Sequence, residues 1–73
     1  MVNSNKVQLE DMKKNLQAQL HYKNPDYAFD ILLYGWAKKT KRAANWLSLI
    51  KKRGWVSLNM ALEIQHYCGY KIL

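Results

Sequence analysis

Residues 38–54 read KKTKRAANWLSLIKKRG, and their pattern decides the fold. Ala43, Trp46, Leu47 and Ile50 recur at the i, i+3, i+4, i+7 spacing that buries one face of a helix. Seven of the chain's twelve basic residues fall within 38–53 (Lys38, Lys39, Lys41, Arg42, Lys51, Lys52, Arg53), and no acid does. They gather at the two ends of the stretch, while Asn45 and Ser48 lie off the apolar stripe. A helix apolar on one side and positive on the other suits a phosphate-bearing partner.

Working outward, 73 residues with 49% hydrophobic content and nine aromatics make one small domain. Such a chain depends on helix packing, a metal, disulfides or a partner chain. Cys68 is the only cysteine, which excludes an internal disulfide. Cys68, His21 and His66 lack zinc-ligand spacing. Helix packing remains, helped by dimerisation. The formal net charge is +7, and the acids Glu10, Asp11, Asp26, Asp30 and Glu63 leave residues 31–62 without one. This footprint fits nucleic acid or an anionic surface, with general solubility as the plainer account. No run approaches the roughly 18–20 apolar residues of a membrane span. The opening MVNSNK lacks the apolar stretch of a signal peptide, so a cytoplasmic location is expected.

Before the central stretch, Leu9, Met12, Leu16 and Leu20 predict a first helix over about 6–22, with Asn5 as cap and Gln8 three positions on. Lys23-Asn24-Pro25-Asp26 predicts the start of a second helix over about 25–38: Asn24 caps it, Pro25 takes the first helical position and Asp26 faces the positive dipole end. Its inner side is read as Ala28, Ile31, Leu32, Gly35 and Trp36, widened by Phe29 and Leu33. Gly35 costs roughly 1 kcal/mol relative to alanine in a helix and points to close approach of another helix. Thr40 is read as cap of a third helix over about 41–53, closed by Gly54. Trp55-Val56 is a short apolar connection, and Ser57 caps a fourth helix over about 58–68. That helix carries Leu58, Ala61, Leu62, Ile64, Gln65 and Cys68 near one face and stops at Gly69. The expected fold is therefore all-α, a compact four-helix domain with short connections and no strand.

Chemistry is scarce. His21 and His66 belong to no nucleophile or metal arrangement, Cys68 reads as a small buried hydrophobe, and no Gly-rich phosphate loop occurs. An enzyme is not expected, and no cofactor or small-molecule substrate is implied. Trp36 and Trp46 fall on apolar stripes and read as core, whereas Trp55 follows a helix-ending glycine.

The second and third helices are joined by only a few residues around Lys39-Thr40, as in a helix-turn-helix whose second element enters the major groove. That reading turns Thr40, Lys41, Arg42, Asn45 and Ser48, with Leu49 beside them, toward base edges. Arg42 suits guanine and Asn45 suits adenine. Lys38, Lys39, Lys51, Lys52 and Arg53 would hold phosphates on either side. For the last three, a solvated, dipole-matched helix end is the alternative.

Asn45-Trp46, Lys52-Arg53-Gly54-Trp55-Val56-Ser57, Ala61-Leu62-Glu63-Ile64 and Cys68-Gly69-Tyr70-Lys71-Ile72 resemble the end of the Cro-like and YdaS-like prophage regulators. Those small helix-turn-helix proteins often show a recognition helix ending in Trp, then R-G-x-V-P/S, A-L-x-I-E and T-G-G-x-V. The resemblance covers roughly residues 43–72. It implies Trp46 as the anchor of the recognition helix, Arg53-Gly54 as its close, Ser57 as the start of the next helix, and Ala61, Leu62 and Ile64 packed beneath. Ala37-Lys38-Lys39-Thr40 departs from the family's Leu-Gly-Val-Ser type of turn.

These readings together imply a small regulator that binds double-stranded DNA as a homodimer. The rival is a basic protein-binding module that docks on an acidic partner through Tyr22, Tyr27, Tyr34, Tyr67 and Tyr70. A membrane-surface peptide fits less well, because the apolar stripes are spread over several short helices that need each other.

Overall fold

A computed structural model describes residues 5–42 and 44–73. In chain order the elements are β1 (Lys6–Gln8), α1 (Leu9–Leu20), α2 (Pro25–Lys39), α3 (Ala44–Arg53), β2 (Trp55–Ser57) and α4 (Leu58–Cys68). The described residues are thus mostly helical, and they also form an antiparallel strand pair that corrects the expectation of a purely helical chain. The register sets Lys6 opposite Ser57, Val7 opposite Val56 and Gln8 opposite Trp55. Alternation turns Val7 and Val56 inward, where Val56 is fully buried, and leaves the flanking residues outside. Two further bonds lock the ends of this ribbon: Leu9 N donates to Gly54 O (2.9 Å) and Leu58 N donates to Asn5 O (2.7 Å).

Because residues 6–8 are extended, α1 begins at Leu9 with Gln8 as its N-cap, not at Lys6 behind Asn5. Leu9, Met12 and Leu16 enter the core. The punctuation before α2 works as its chemistry requires: Asn24 Oδ1 accepts from Tyr27 N (3.1 Å), Pro25 follows it, and Asp26 lies in the first turn. The buried side of α2 is Phe29, Leu33, Trp36 and Ala37. Ile31 is 53% exposed, so the inner side read from the sequence is displaced around the axis. Gly35 faces α4, where a Cβ would meet the Tyr67 hydroxyl at 2.6 Å.

The largest departure is at the α2–α3 turn. Thr40 caps the end of α2, not the start of α3, and its hydroxyl donates to Trp36 O (2.9 Å) and Ala37 O (3.3 Å). Lys41 N donates to Lys38 O (3.2 Å) and Arg42 N to Ala37 O (2.9 Å), with Lys41 at φ +60°. That pair of bonds is a Schellman closure with lysine in the left-handed position that glycine usually fills. Consequently α3 starts at Ala44 rather than at 41. On its inner side Ile50 is buried and Trp46 and Leu47 are half-buried. Ala43 lies outside the described residues.

Gly54, at φ +83°, ends α3 and turns the chain into β2. Ser57 Oγ accepts from Met60 N (3.2 Å) and opens α4. Ala61 and Ile64 are buried, while Leu58 and Leu62 face outward. After Gly69 the tail folds back: Gln65 Oε1 accepts from Ile72 N (3.0 Å) and Leu73 N (3.1 Å), and Asn15 Nδ2 donates to Ile72 O (3.0 Å). Ile72 is completely buried among the core side chains. Truncating Ile72 to alanine therefore leaves a cavity under α1 and α4, and Ile72→Ala is expected to cost about 2–5 kcal/mol in urea unfolding, a large share of the stability of so small a domain.

Candidate nucleic-acid interface

On α3 the exposed residues Asn45, Ser48, Leu49 and Lys52 follow the i, i+3, i+4, i+7 spacing and share one outer face, opposite the buried Ile50. The face offers an amide, a hydroxyl, an isobutyl group and an ammonium, and no carboxylate. Of the residues expected at base edges, Asn45 and Ser48 stand on it. Lys41 is exposed at the turn just before it.

Thr40 and Arg42 are placed differently. The Thr40 hydroxyl is committed to the two α2 carbonyls. Arg42 is half-buried, its guanidinium 4.4 Å from the Trp36 ring centroid and 5.2 Å from that of Trp46. The two indoles themselves meet at 5.2 Å, tilted by 49°. Arg42 thus lies over a pair of tryptophans from two helices, a contact worth about 0.5–2 kcal/mol depending on its exposure.

The residues expected to hold phosphates divide by partner. Lys38 and Lys52 are exposed and carry no ion pair among the described residues. Lys39 Nζ lies 5.4 Å above the Tyr67 ring. Lys51 Nζ pairs with Asp30 at 3.0 Å, both about half exposed, and a surface pair of that kind contributes only about 0–1 kcal/mol. Arg53 donates from Nε to Trp55 O (2.8 Å), with its guanidinium 4.0 Å from the Trp55 ring centroid.

The acids gather elsewhere. Glu10, Asp26 and Asp30 line a cleft of about 460 Å³ between α1, α2 and the end of α3, together with Lys13, Lys51 and Gly54. Lys13 bonds both Asp26 and Glu10, which raise its pKa above the ordinary value. Three of the five carboxylates are therefore engaged in this cleft, one of them with Lys51 of α3, and none stands on the outer face of that helix. No group of three or more His, Cys, Asp or Glu side chains among the described residues is placed to hold a metal. No described helix is long and apolar enough to cross a membrane.

The sequence reading left Leu49 at the margin of the site and put Lys6 in a solvated first helix. Leu49 is 55% exposed in the middle of the outer face, a placement that its i+4 spacing from Asn45 could have revealed. Lys6 comes from β1 to lie 4.5 Å from the Trp55 ring centroid, a placement set by strand pairing with no local signal.

With this geometry in hand, comparison with protein-family models, curated proteins and solved structures finds no match.

Two substitutions separate the turn's structural work from any ligand work. Arg42→Ala should lower stability by about 1–2 kcal/mol, because the two indoles lose their cover. Lys41→Gly should raise it by about 1 kcal/mol, because the left-handed conformation is strained for lysine and free for glycine. Urea unfolding followed by tryptophan emission reads both; an opposite sign at either position refutes the account of the turn.

Proposed function

We propose that the protein is a transcriptional regulator that binds double-stranded DNA, with α2 and α3 acting as a helix-turn-helix and α3 lying in the major groove. One observation carries the reading: the outer face of α3 is a carboxylate-free stripe, polar but for Leu49, bordered by Lys38, Lys41 and Lys52, which have no ion-pair partner among the described residues. With its side chains an α-helix is about 10–12 Å across, which fits a major groove about 12 Å wide, and the ten residues of α3 run about 15 Å along it. Asn45 then reads adenine through its amide, Ser48 accepts or donates to a neighbouring base, and Leu49 meets a thymine methyl. Lys38, Lys41 and Lys52 neutralise flanking phosphates, and Lys51 joins them by leaving Asp30. Arg42 supports the reading helix from behind.

One such domain buries too little surface for strong specificity, so the regulator acts as a homodimer. Tyr27, Ile31 and Tyr34 are 65%, 53% and 61% exposed on the side of α2 away from the core, and this uncharged stripe accepts the same stripe of a second copy without stranding a charge. Sedimentation of the protein and of Ile31→Asp should show a dimer in the first and a monomer in the second. A monomer in both removes the dimer and leaves the stripe to a different protein, the second reading.

Selection from a random duplex pool should enrich one short motif. Against it, Asn45→Ala should lose about 1–3 kcal/mol of specific affinity while keeping its affinity for random duplex. Lys52→Ala should weaken both alike and reduce the salt slope by about one. Equal effects of the two substitutions on both duplexes would refute base reading by Asn45.

A further inference from the structure

The strand pair creates a second cationic site, distant in sequence from the first turn of α3. Alternation along the ribbon turns Lys6, Gln8, Trp55 and Ser57 to its outer face. Lys6 lies diagonally from Trp55 in this register, within reach of a long side chain. Its ammonium is 4.5 Å from the indole centroid, and the Arg53 guanidinium, delivered by the last turn of α3, is 4.0 Å from the same centroid. Two like charges are thus held on one half-buried ring. The ion pairs of the described residues engage Glu10, Asp26 and Asp30 with Lys13 and Lys51, and none of them reaches Lys6 or Arg53. An indole quadrupole attracts each cation but does not neutralise it. Lys52, adjacent in α3, adds a third charge without an ion pair.

We infer that Lys6 and Arg53, spaced by Trp55, form a clamp for the sugar-phosphate backbone of duplex DNA, extending the contact from the end of α3 onto the strand ribbon. The inference rests on the DNA-binding reading and deepens it. With α3 in the major groove, its last turn approaches one strand, and the ribbon is joined to that turn through Gly54 alone. Two cations within 4.5 Å of one ring centre are near enough to each other to engage the same stretch of strand. Because the ring orients the side chains beforehand, the contact loses little side-chain entropy on binding.

The test measures binding to a short random-sequence duplex across a salt series. Lys6→Gln keeps the backbone and the reach of the side chain, and should lower the slope of log K against log salt by about one phosphate contact. Lys71→Gln removes the same charge from the opposite end of α1, where Gln19 Nε2 donates to Lys71 O, and should leave the slope unchanged. Quenching of tryptophan emission by duplex should largely disappear in Trp55→Phe. Equal slope changes for Lys6→Gln and Lys71→Gln would reduce the effect to net charge and overturn the clamp, as would quenching that survives in Trp55→Phe. Duplex binding whose affinity and salt slope are both unchanged in Lys6→Gln overturns the clamp while sparing the DNA reading. Absence of duplex binding by the unaltered protein overturns both. Competition by polyglutamate equal to that by duplex, charge for charge, reassigns the cations to an acidic protein and also overturns it.

Discussion

The pairing of Val7 with Val56 is the constraint on which the rest of the molecule depends. A three-residue strand before α1 is held against a three-residue strand between α3 and α4, so the entry of one helix, the exit of another and the start of a fourth are fixed at one place. Neither strand could stand alone, since an isolated two-stranded ribbon is marginal in water. It persists because Val56 is buried beneath it and because α1 and α4 continue directly from its ends through the Leu9 and Leu58 amides. Hydrogen bonding and burial therefore reinforce each other at the same residues.

From that anchor, the distribution of charge follows. The ribbon and the core side of α2 set α1 and α3 on either side of a cleft where acids and two lysines neutralise one another. The outer face of α3 points away from it. Positive charge is placed in two ways: Arg42 and Arg53 stack on indole rings, as Lys6 also does, whereas Lys38, Lys41 and Lys52 are exposed to solvent. Arginine suits the first use because its planar, weakly hydrated head stacks, and lysine suits the second as a compact charge on a flexible stem.

What could be read from the sequence was whatever depends on near neighbours. Asn24-Pro25 at the start of α2, Ser57 at the start of α4, Gly54 and Gly69 as stops, and the apolar stripes of α1 and α3 are all local signals, and the four helices sit on them. The strands escaped because Lys6-Val7-Gln8 and Trp55-Val56-Ser57 are too short to show alternation, and their pairing is decided across the whole chain. The inner side of α2 was misplaced because Tyr27, Ala28, Phe29, Ile31, Leu32, Leu33, Tyr34, Trp36 and Ala37 surround the helix with apolar groups, leaving no clear period. Thr40 was a fair candidate N-cap, but a residue that caps one helix backward looks the same as one that caps the next forward. At the candidate interface, Asn45 and Ser48 were legible from their place off the stripe. The stacking of Arg42 on two tryptophans was not, since it needs the crossing of α2 and α3.

The burial of Ile72 against residues of α1 has a consequence for biosynthesis. A ribosome releases α1 well before Ile72, yet Asn15 bonds a carbonyl 57 residues further on. Until that carbonyl emerges, the oily side of α1 and the groove beneath α4 have no lid, and bringing such distant segments together carries a loop-closure cost. The contact between α1 and the tail therefore has to wait until the intervening residues have emerged. The ribbon and the tail both join distant parts of the sequence, like the two strings of a purse.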